Sequence, residues 1–126
     1  MAARADSVLR RVRTMIAEMP YTSERASHGA PAFFVGSTKS NTRCFCHFAD
    51  DHHGDSRLAL WLAAPPGAAA SLVEANPDAY FIPPYVGPQG WVGVRLDRRL
   101  PWGEIAAVIE QAWRTRAPAK IVRAIV

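Results

Sequence analysis

Apolar residues recur every three or four positions near both ends of the chain, a spacing that predicts two amphipathic helices. Asp6 or Ser7 is expected to cap the first helix and Pro20 to end it, because proline excludes the helical conformation from the residue before it. Arg10, Arg11 and Arg13 lie opposite its apolar face. That face consists of Val8, Leu9, Val12, Met15, Ile16 and Met19. The second helix is expected to begin at Pro101 and end at Pro118, with Trp102, Ile105, Val108, Ile109, Ala112 and Trp113 along its buried side.

The middle of the chain alternates between apolar and polar residues, which predicts strands. The predicted strands cover residues 33–37, 43–49, 57–64, 80–82 and 91–96, and residues 21–31 are expected to be loop. A short helix is expected after Pro65-Pro66-Gly67, ending near Ala75. The predicted order is therefore α-β-β-β-α-β-β-α in one domain over residues 1–126, with a core at about 8–118. For the tail at 119–126, a helix and a docked strand both remain open.

Alternate residues of a strand point to opposite faces of a sheet, so the strands also predict two faces. One face is aliphatic and contains Leu58, Leu60, Leu62, Val92, Val94 and Leu96, with Cys44, Cys46 and Phe48 expected beside them. An antiparallel sheet of this kind is typically covered on its aliphatic side by helices. The sequence thus predicts an α+β two-layer sandwich with the N- and C-terminal helices packed on one face of the sheet.

The second predicted face carries arginine and tryptophan. We call Arg43, Arg57, Trp61, Trp91 and Arg95 the Trp–Arg surface, with Phe45 and His47 expected on the same side. Cations beside aromatic rings are the combination that binds single-stranded bases. The same surface is also expected if a helix or loop covers the rings, or if two copies of the chain associate there.

Composition narrows the class of protein. Of 126 residues, 49% are hydrophobic and 21% are charged, values that exclude a disordered or fibrous chain. The longest apolar run, at residues 58–64, is far shorter than the roughly 18 residues of a membrane span, and no secretory signal is evident. The net charge of +4 is uneven: residues 1–43 and 95–126 each carry +4, and residues 44–94 carry −4. Two basic ends favour an anionic partner.

The two cysteines, Cys44 and Cys46, are separated by one residue, a spacing unsuited to a disulfide within a strand. They predict packed thiols in a reduced, cytoplasmic protein. His47 and the run from Asp50 to Asp55 contain metal-ligand types, but without paired Cys-x-x-Cys or His-x-x-x-His spacing. We therefore expect neither a metal site nor a cofactor.

Enzymatic motifs are missing as well. Ser27 and His28 are chain neighbours, and adjacency does not supply a nucleophile with its base. His28 is expected to stabilise a turn, and Tyr85 and Gln89 are candidates for lining a small pocket near it. We predict a binding domain without catalytic activity.

Three segments carry a resemblance to a known family. Ser27-His28-Gly29-Ala30-Pro31-Ala32-Phe33, the stretch from Pro84 through Gly90-Trp91 to Leu96, and Ala112-Trp113-Arg114 with its continuation to Lys120 resemble MmcQ/YjbR proteins over about residues 8–120. The resemblance implies a CyaY-like α+β fold, no catalytic residues and, since members are commonly described as DNA-binding, a nucleic-acid partner. Related frataxin-type folds bind iron through an acidic ridge, which the first helix lacks.

Together these observations predict a nucleic-acid-binding domain that uses either Arg10 and Arg11 of the first helix or the Trp–Arg surface. The alternative is a protein-interaction or homodimerisation module that buries the Trp–Arg surface against its partner. No membrane association is expected.

Overall fold

A computed structural model describes residues 2–37 and 41–124. The elements in chain order are α1 (Ala2–Ala17), β1 (Thr22–Ser27), β2 (Ala30–Val35), β3 (Arg43–Asp50), β4 (Leu58–Leu62), α2 (Ala68–Ala75), β5 (Tyr80–Phe81), β6 (Val92–Arg95), α3 (Trp102–Arg116) and α4 (Ala119–Ala124). The α+β class is confirmed, with one strand more than predicted. The tail forms the short helix α4 as far as it is described. No helix in the described ranges is long and apolar enough to cross a bilayer.

The six strands form one antiparallel sheet in the order β1-β2-β3-β4-β6-β5. The first four strands follow each other by hairpin connections. After β4 the chain passes through α2 to the edge strand β5 and returns to β6, which pairs with β4. The centre of the sheet is therefore β3 and β4, and both of its faces there require cover.

Strand β1 corrects the expectation of a loop at residues 21–31. Its sequence is almost entirely polar and its residues are exposed or half-buried, so it shows no apolar alternation. Pairing with β2 stabilises the strand instead. The two strands are joined by a turn in which His28 and Gly29 have φ of 54° and 81°. Positive φ at both central residues is what a two-residue hairpin turn requires. Glu24 adds a two-bond ion pair with Arg13 of α1.

Helix α1 begins four residues earlier than its predicted cap at Asp6. Ala2, Ala3 and Ala5 are strong helix formers, and they extend the helix N-terminally beyond the polar residues. The predicted apolar face is retained, with Val12 and Ile16 buried in the core.

The helix-covered face of the sheet contains the aliphatic residues predicted for it. Cys46 pairs with Leu62, and Phe48 with Leu60, so these side chains share one face. Helix α3 lies on β3 and β4 and buries Ile105, Val108, Ile109, Ala112 and Trp113 there. The Trp113 indole donates a hydrogen bond to the Pro20 carbonyl at 3.1 Å, and the Tyr80 hydroxyl donates to Glu104 of α3. This side is therefore packed and its buried donors are paired.

A β-bulge in β3 changes the expected faces of two residues, Arg43 and Cys44. Phe33 pairs with Cys46, but the next residue of β2, Phe34, pairs with Cys44, so Phe45 is the extra residue. Cys44 consequently lies on the same side as His47, with 3.6 Å between Sγ and Nε2. Arg43 is turned to the helix side and reaches the Arg116 carbonyl of α3. The expectation that both thiols share one face, opposite Arg43 and Phe45, was wrong.

Candidate functional site

The second face of the sheet places aromatic side chains next to one another, as the strand pattern predicts. His47 of β3 pairs with Trp61 of β4, and their ring centroids are 6.3 Å apart. Trp91, just before β6, lies 5.7 Å from His47 on the same side. Both tryptophans are nevertheless buried, each with only 6% of its surface exposed. The Trp–Arg surface is therefore covered in this structure.

Two irregular segments provide the cover. The connection between β3 and β4 brings His52 over Trp61, with ring centroids 4.7 Å apart and nearly perpendicular. The loop before β6 brings Tyr85 to within 5.9 Å of His52, and the Tyr85 hydroxyl is 3.3 Å from His53 Nε2. Neither segment belongs to a strand or an α-helix. Stacking of bases on Trp61 and Trp91, and a partner chain seated directly on them, both require this cover to move.

The arginines expected beside the tryptophans have other partners. Arg95 makes two hydrogen bonds to Asp97, at 3.0 and 3.1 Å. Arg57 lies over the Phe81 ring, 4.1 Å from its centroid, and that ring in turn lies over Gly93, where a Cβ would come within 2.3 Å of it. Arg43 is on the other side of the sheet because of the bulge. The structure therefore does not bring the three arginines together around the indoles.

A cavity of about 540 Å³ lies between the turn before β2, strand β3 and the two covering segments. Its size is within the range of small-molecule sites. The polar residues that line it are Ser27, His28, His47, His52, His53 and Tyr85. Its other walls are Ala30, Phe48, Ala49, Trp61 and Val86. The chain has four histidines, and all four line this space, which we call the histidine cavity.

The sequence indicates part of this site. His28 and Tyr85 were expected near one small pocket, and both line the histidine cavity, whereas Gln89 is exposed and does not. His52 and His53 belong to the run of metal-ligand types for which the sequence predicts no site. One sequence feature could have placed His52 and His53 at the site. They lie in the connection that directly follows β3, and this connection can fold back over the face that carries His47 and Trp61.

Among the described residues, the cavity walls carry no carboxylate, lysine or arginine. Burial, with a smaller contribution from neighbouring His28, lowers the pKa of His47 below its ordinary value. Just outside the lining, burial raises the pKa of the Cys44 thiol, and it raises the pKa of Cys46 much further. Both thiols therefore remain protonated near neutral pH. In the described part of the chain, no three His, Cys, Asp or Glu side chains are grouped as a metal would require.

Two nitrogens beside the cavity lack hydrogen-bond partners. Trp61 Nε1 and His52 Nε2 are both shielded from solvent and unpaired. An unpaired buried donor or acceptor costs about 1–3 kcal/mol, so such groups are uncommon in a folded domain.

The backbone around the cavity is also strained. His28, His53 and Tyr85 have φ of 54°, 50° and 65°, in the left-handed region. The hairpin turn accounts for His28. His53 and Tyr85 have no such turn, and residues of this kind cost on the order of 1–3 kcal/mol each and tend to occur at ligand sites. Tyr85 is the least expected of them, because a bulky side chain disfavours this conformation.

A second candidate surface lies on α1. Ser7, Arg10, Arg11, Thr14 and Met15 line a shallow groove of about 360 Å³ along the exposed side of the helix. Arg11 stacks on Trp102 of α3, 4.6 Å from the ring centroid. Arg4, one turn before the groove, is exposed as well. We call Arg4, Ser7, Arg10, Arg11 and Thr14 the α1 arginine stripe.

The fold and the site define an α+β two-layer sandwich with helices on one sheet face and a turn-covered cavity on the other. The chain belongs to the YjbR family, whose model matches residues 17–115. That match confirms the sequence resemblance. All residues of the histidine cavity lie inside the matched segment, whereas the α1 arginine stripe precedes it.

The crystal structure of the Deinococcus radiodurans protein DR2400, a DUF419 domain, is similar with a TM-score of 0.70. The two sequences are 22% identical, and the match covers 83% of this chain and 75% of that one. This likeness shows the fold. No curated protein matches the chain.

Proposed function

We propose that this chain is a non-enzymatic binding domain for nucleic acid and that the α1 arginine stripe makes the contact. One observation carries the proposal: Arg4, Arg10 and Arg11 are exposed on α1, with Arg4 about two turns before the other two, and none forms an ion pair within the described residues. Uncompensated guanidinium groups on one surface attract a polyanion.

The chemistry of the stripe fits a phosphate backbone. Arg4, Ser7, Arg11 and Thr14 are spaced by three or four residues, so they follow one side of the helix over about 15 Å. Guanidinium groups and hydroxyls such as that of Ser7 are common donors to phosphate oxygens, whereas the Thr14 hydroxyl donates to the Arg10 carbonyl at 3.0 Å. Such contacts position a protein on nucleic acid without reading its sequence, and we therefore expect binding with little sequence preference.

Other arginines on the helix side provide the contrast. Arg13 is bound to Glu24, and Arg114 pairs with Glu110 at 3.3 Å. A carboxylate that is already bound reduces the attraction of its arginine for phosphate. The stripe is therefore one of the surfaces on which exposed arginines have no carboxylate partner among the described residues.

The proposal assigns the chain no catalytic step. Two observations support this. Burial raises the pKa of both thiols, and in the part of the chain that the structure describes, the cavity wall offers the histidines no carboxylate to orient them. We place the protein in the cytoplasm, since Cys44 and Cys46 are both free thiols.

Fluorescence anisotropy tests the proposal, with single-stranded and duplex oligonucleotides of about 20 nucleotides or base pairs at about 50 and 200 mM salt. Arg10→Ala/Arg11→Ala is expected to weaken binding by about tenfold or more and to reduce the slope of log K against log salt by about 1.8. Arg98→Ala/Arg114→Ala is the matched control, because it removes the same charge from ion-paired positions. The control variant should bind nearly as well as the unmodified protein.

Two results would contradict the proposal. One is no saturable binding to either oligonucleotide at the lower salt concentration. The other is an equal loss in the control variant, which would mean that net charge alone attracts the polyanion and that α1 has no special role.

A further inference from the structure

We propose that the histidine cavity binds a small planar aromatic anion. This inference is independent of nucleic-acid binding, because the cavity lies on the sheet face opposite the helices. It rests on four features of the cavity: the charges of its walls, their aromatic character, two unpaired nitrogens and a strained backbone.

The charge of the walls selects against cations and for anions. Four imidazoles line the space, and no carboxylate of residues 2–37 or 41–124 does. Imidazole is neutral or positive near neutral pH, and its N–H groups donate hydrogen bonds in either form. An anionic group in the cavity therefore meets donors and no like charge.

The shape of the walls selects a flat ring. Trp61, His52 and Tyr85 form a connected set, with centroid distances of 4.7 Å between the first two and 5.9 Å between the last two. Both distances lie in the range that aromatic rings prefer when they contact edge to face. A planar ligand extends this set with the same kind of contact.

The unpaired nitrogens point to an acceptor. Trp61 Nε1 can only donate, so the group that satisfies it has to carry an oxygen or nitrogen lone pair. His52 Nε2, on the adjacent ring, is unpaired as well. A carboxylate or phosphate oxygen accepts more than one hydrogen bond and suits both nitrogens.

The strained backbone shows that the covering residues are held in place by the fold. His53 and Tyr85 come from two different segments, and each has a positive φ beside the cavity, whereas the positive φ of His28 is that of the β1–β2 hairpin turn. Residues in this conformation persist only where the surrounding structure determines them, and they cluster at ligand sites. The cavity is thus assembled by strained residues that converge from separate parts of the chain.

A metal ion is the competing occupant for a cluster of histidines. Among the described residues, which include all four histidines, no three ligand side chains are grouped for coordination. The geometry therefore favours an organic anion over a cation.

Nuclear magnetic resonance provides a direct test, because every imidazole signal of the chain reports on the cavity. The probe is 2-naphthoate, and its neutral counterpart is naphthalene-2-carboxamide. We expect 2-naphthoate to shift the histidine ring signals and the Trp61 indole N–H signal saturably, with affinity about tenfold or more above that of the amide. Cyclohexanecarboxylate, which has the charge without the flat ring, should bind about tenfold more weakly as well.

The protein contains its own internal reference. The Trp113 indole N–H is bonded to the Pro20 carbonyl on the helix side, so its signal should not move. Trp61→Phe removes only the unpaired donor and part of the ring, and His28→Asn keeps a residue that tolerates positive φ. Each variant is expected to lower naphthoate affinity about fivefold or more, whereas Arg10→Ala/Arg11→Ala should leave it unchanged.

The inference is overturned if 2-naphthoate causes no saturable shift, if the amide binds equally well, or if the Trp113 signal moves as much as the Trp61 signal. Zn²⁺ alone is titrated in parallel. Stoichiometric Zn²⁺ binding that broadens the histidine signals and blocks naphthoate would also overturn it, in favour of a metal site.

Discussion

The two faces of the sheet are covered by different kinds of structure. The helix-covered face lies under α3, and its aliphatic side chains and the indole of Trp113 are packed or hydrogen-bonded. The turn-covered face lies under the β3–β4 connection and the loop around Tyr85, where a cavity remains and the indole of Trp61 has no partner. Regular elements can satisfy their own backbone groups and still present an apolar stripe. Turns cannot do both, and they leave space and unused hydrogen-bond capacity.

The largest expected difference between the faces concerns packing. Leu60→Ala removes a fully buried side chain under the helices and should lower the free energy of unfolding by about 2–5 kcal/mol. Val86→Ala, in the half-buried cover of the other face, should cost about 1 kcal/mol or less. Urea denaturation followed by circular dichroism measures both. Equal losses would show that the turn-covered face is packed as tightly as the helix-covered one.

A smaller difference should separate the two indoles. Trp113→Phe and Trp61→Phe remove the same atoms, but only the first breaks a hydrogen bond and leaves the Pro20 carbonyl without that donor. We expect Trp113→Phe to be more destabilising by about 1–2 kcal/mol. The same urea titrations decide the comparison, and a larger loss for Trp61→Phe would mean that its indole nitrogen is paired in solution.

The smallest expected effect is the pH dependence of the turn-covered face. The pKa of His47 is lowered by burial and by His28, so near its titration the unfolded chain binds more protons than the folded one. The stability linked to His47 is therefore complete above its unfolded pKa of about 6.5 and is lost as the pH falls toward the folded value.

Titration of the His47 ring signal checks this prediction. His28→Asn should move the pKa of His47 upward, toward its ordinary value, because one positive neighbour is removed. It should also reduce the loss of stability between about pH 7.5 and pH 5. A His47 pKa at or above about 6.5 in the unmodified protein would contradict the prediction.

The difference between the two faces also explains which parts of the fold can be predicted from the sequence. Helices α1 to α3, the five predicted strands and the aliphatic face follow from apolar periodicity, because that periodicity reflects burial against a regular element. Strand β1 shows no apolar periodicity, because its polar residues lie at the edge of the sheet and are stabilised by pairing with β2. The bulge at Phe45 cannot be recognised from the order of apolar and polar residues between Arg43 and Phe48. Strict alternation therefore assigns Arg43 and Cys44 to the wrong faces.

The candidate site is still harder to predict. The pairing of His47 with Trp61 is local to one hairpin and follows from strand alternation. Its cover depends on how the segments around His52 and Tyr85 fold back, and neither segment contains a periodic signal. His28 and Tyr85 were associated through their position in loops, whereas the convergence of all four histidines requires the tertiary structure.

The bulge in β3 has a consequence for oxidation chemistry. Without it, two thiols two residues apart would have shared one environment. Because of it, Cys46 lies sealed among aliphatic side chains, and Cys44 lies half-buried beside His47. Their sulfurs are thus on opposite faces of the sheet, and the two cysteines cannot form a disulfide with each other. An oxidant that reaches this protein meets one thiol only, and any disulfide that Cys44 forms has to be made with another molecule.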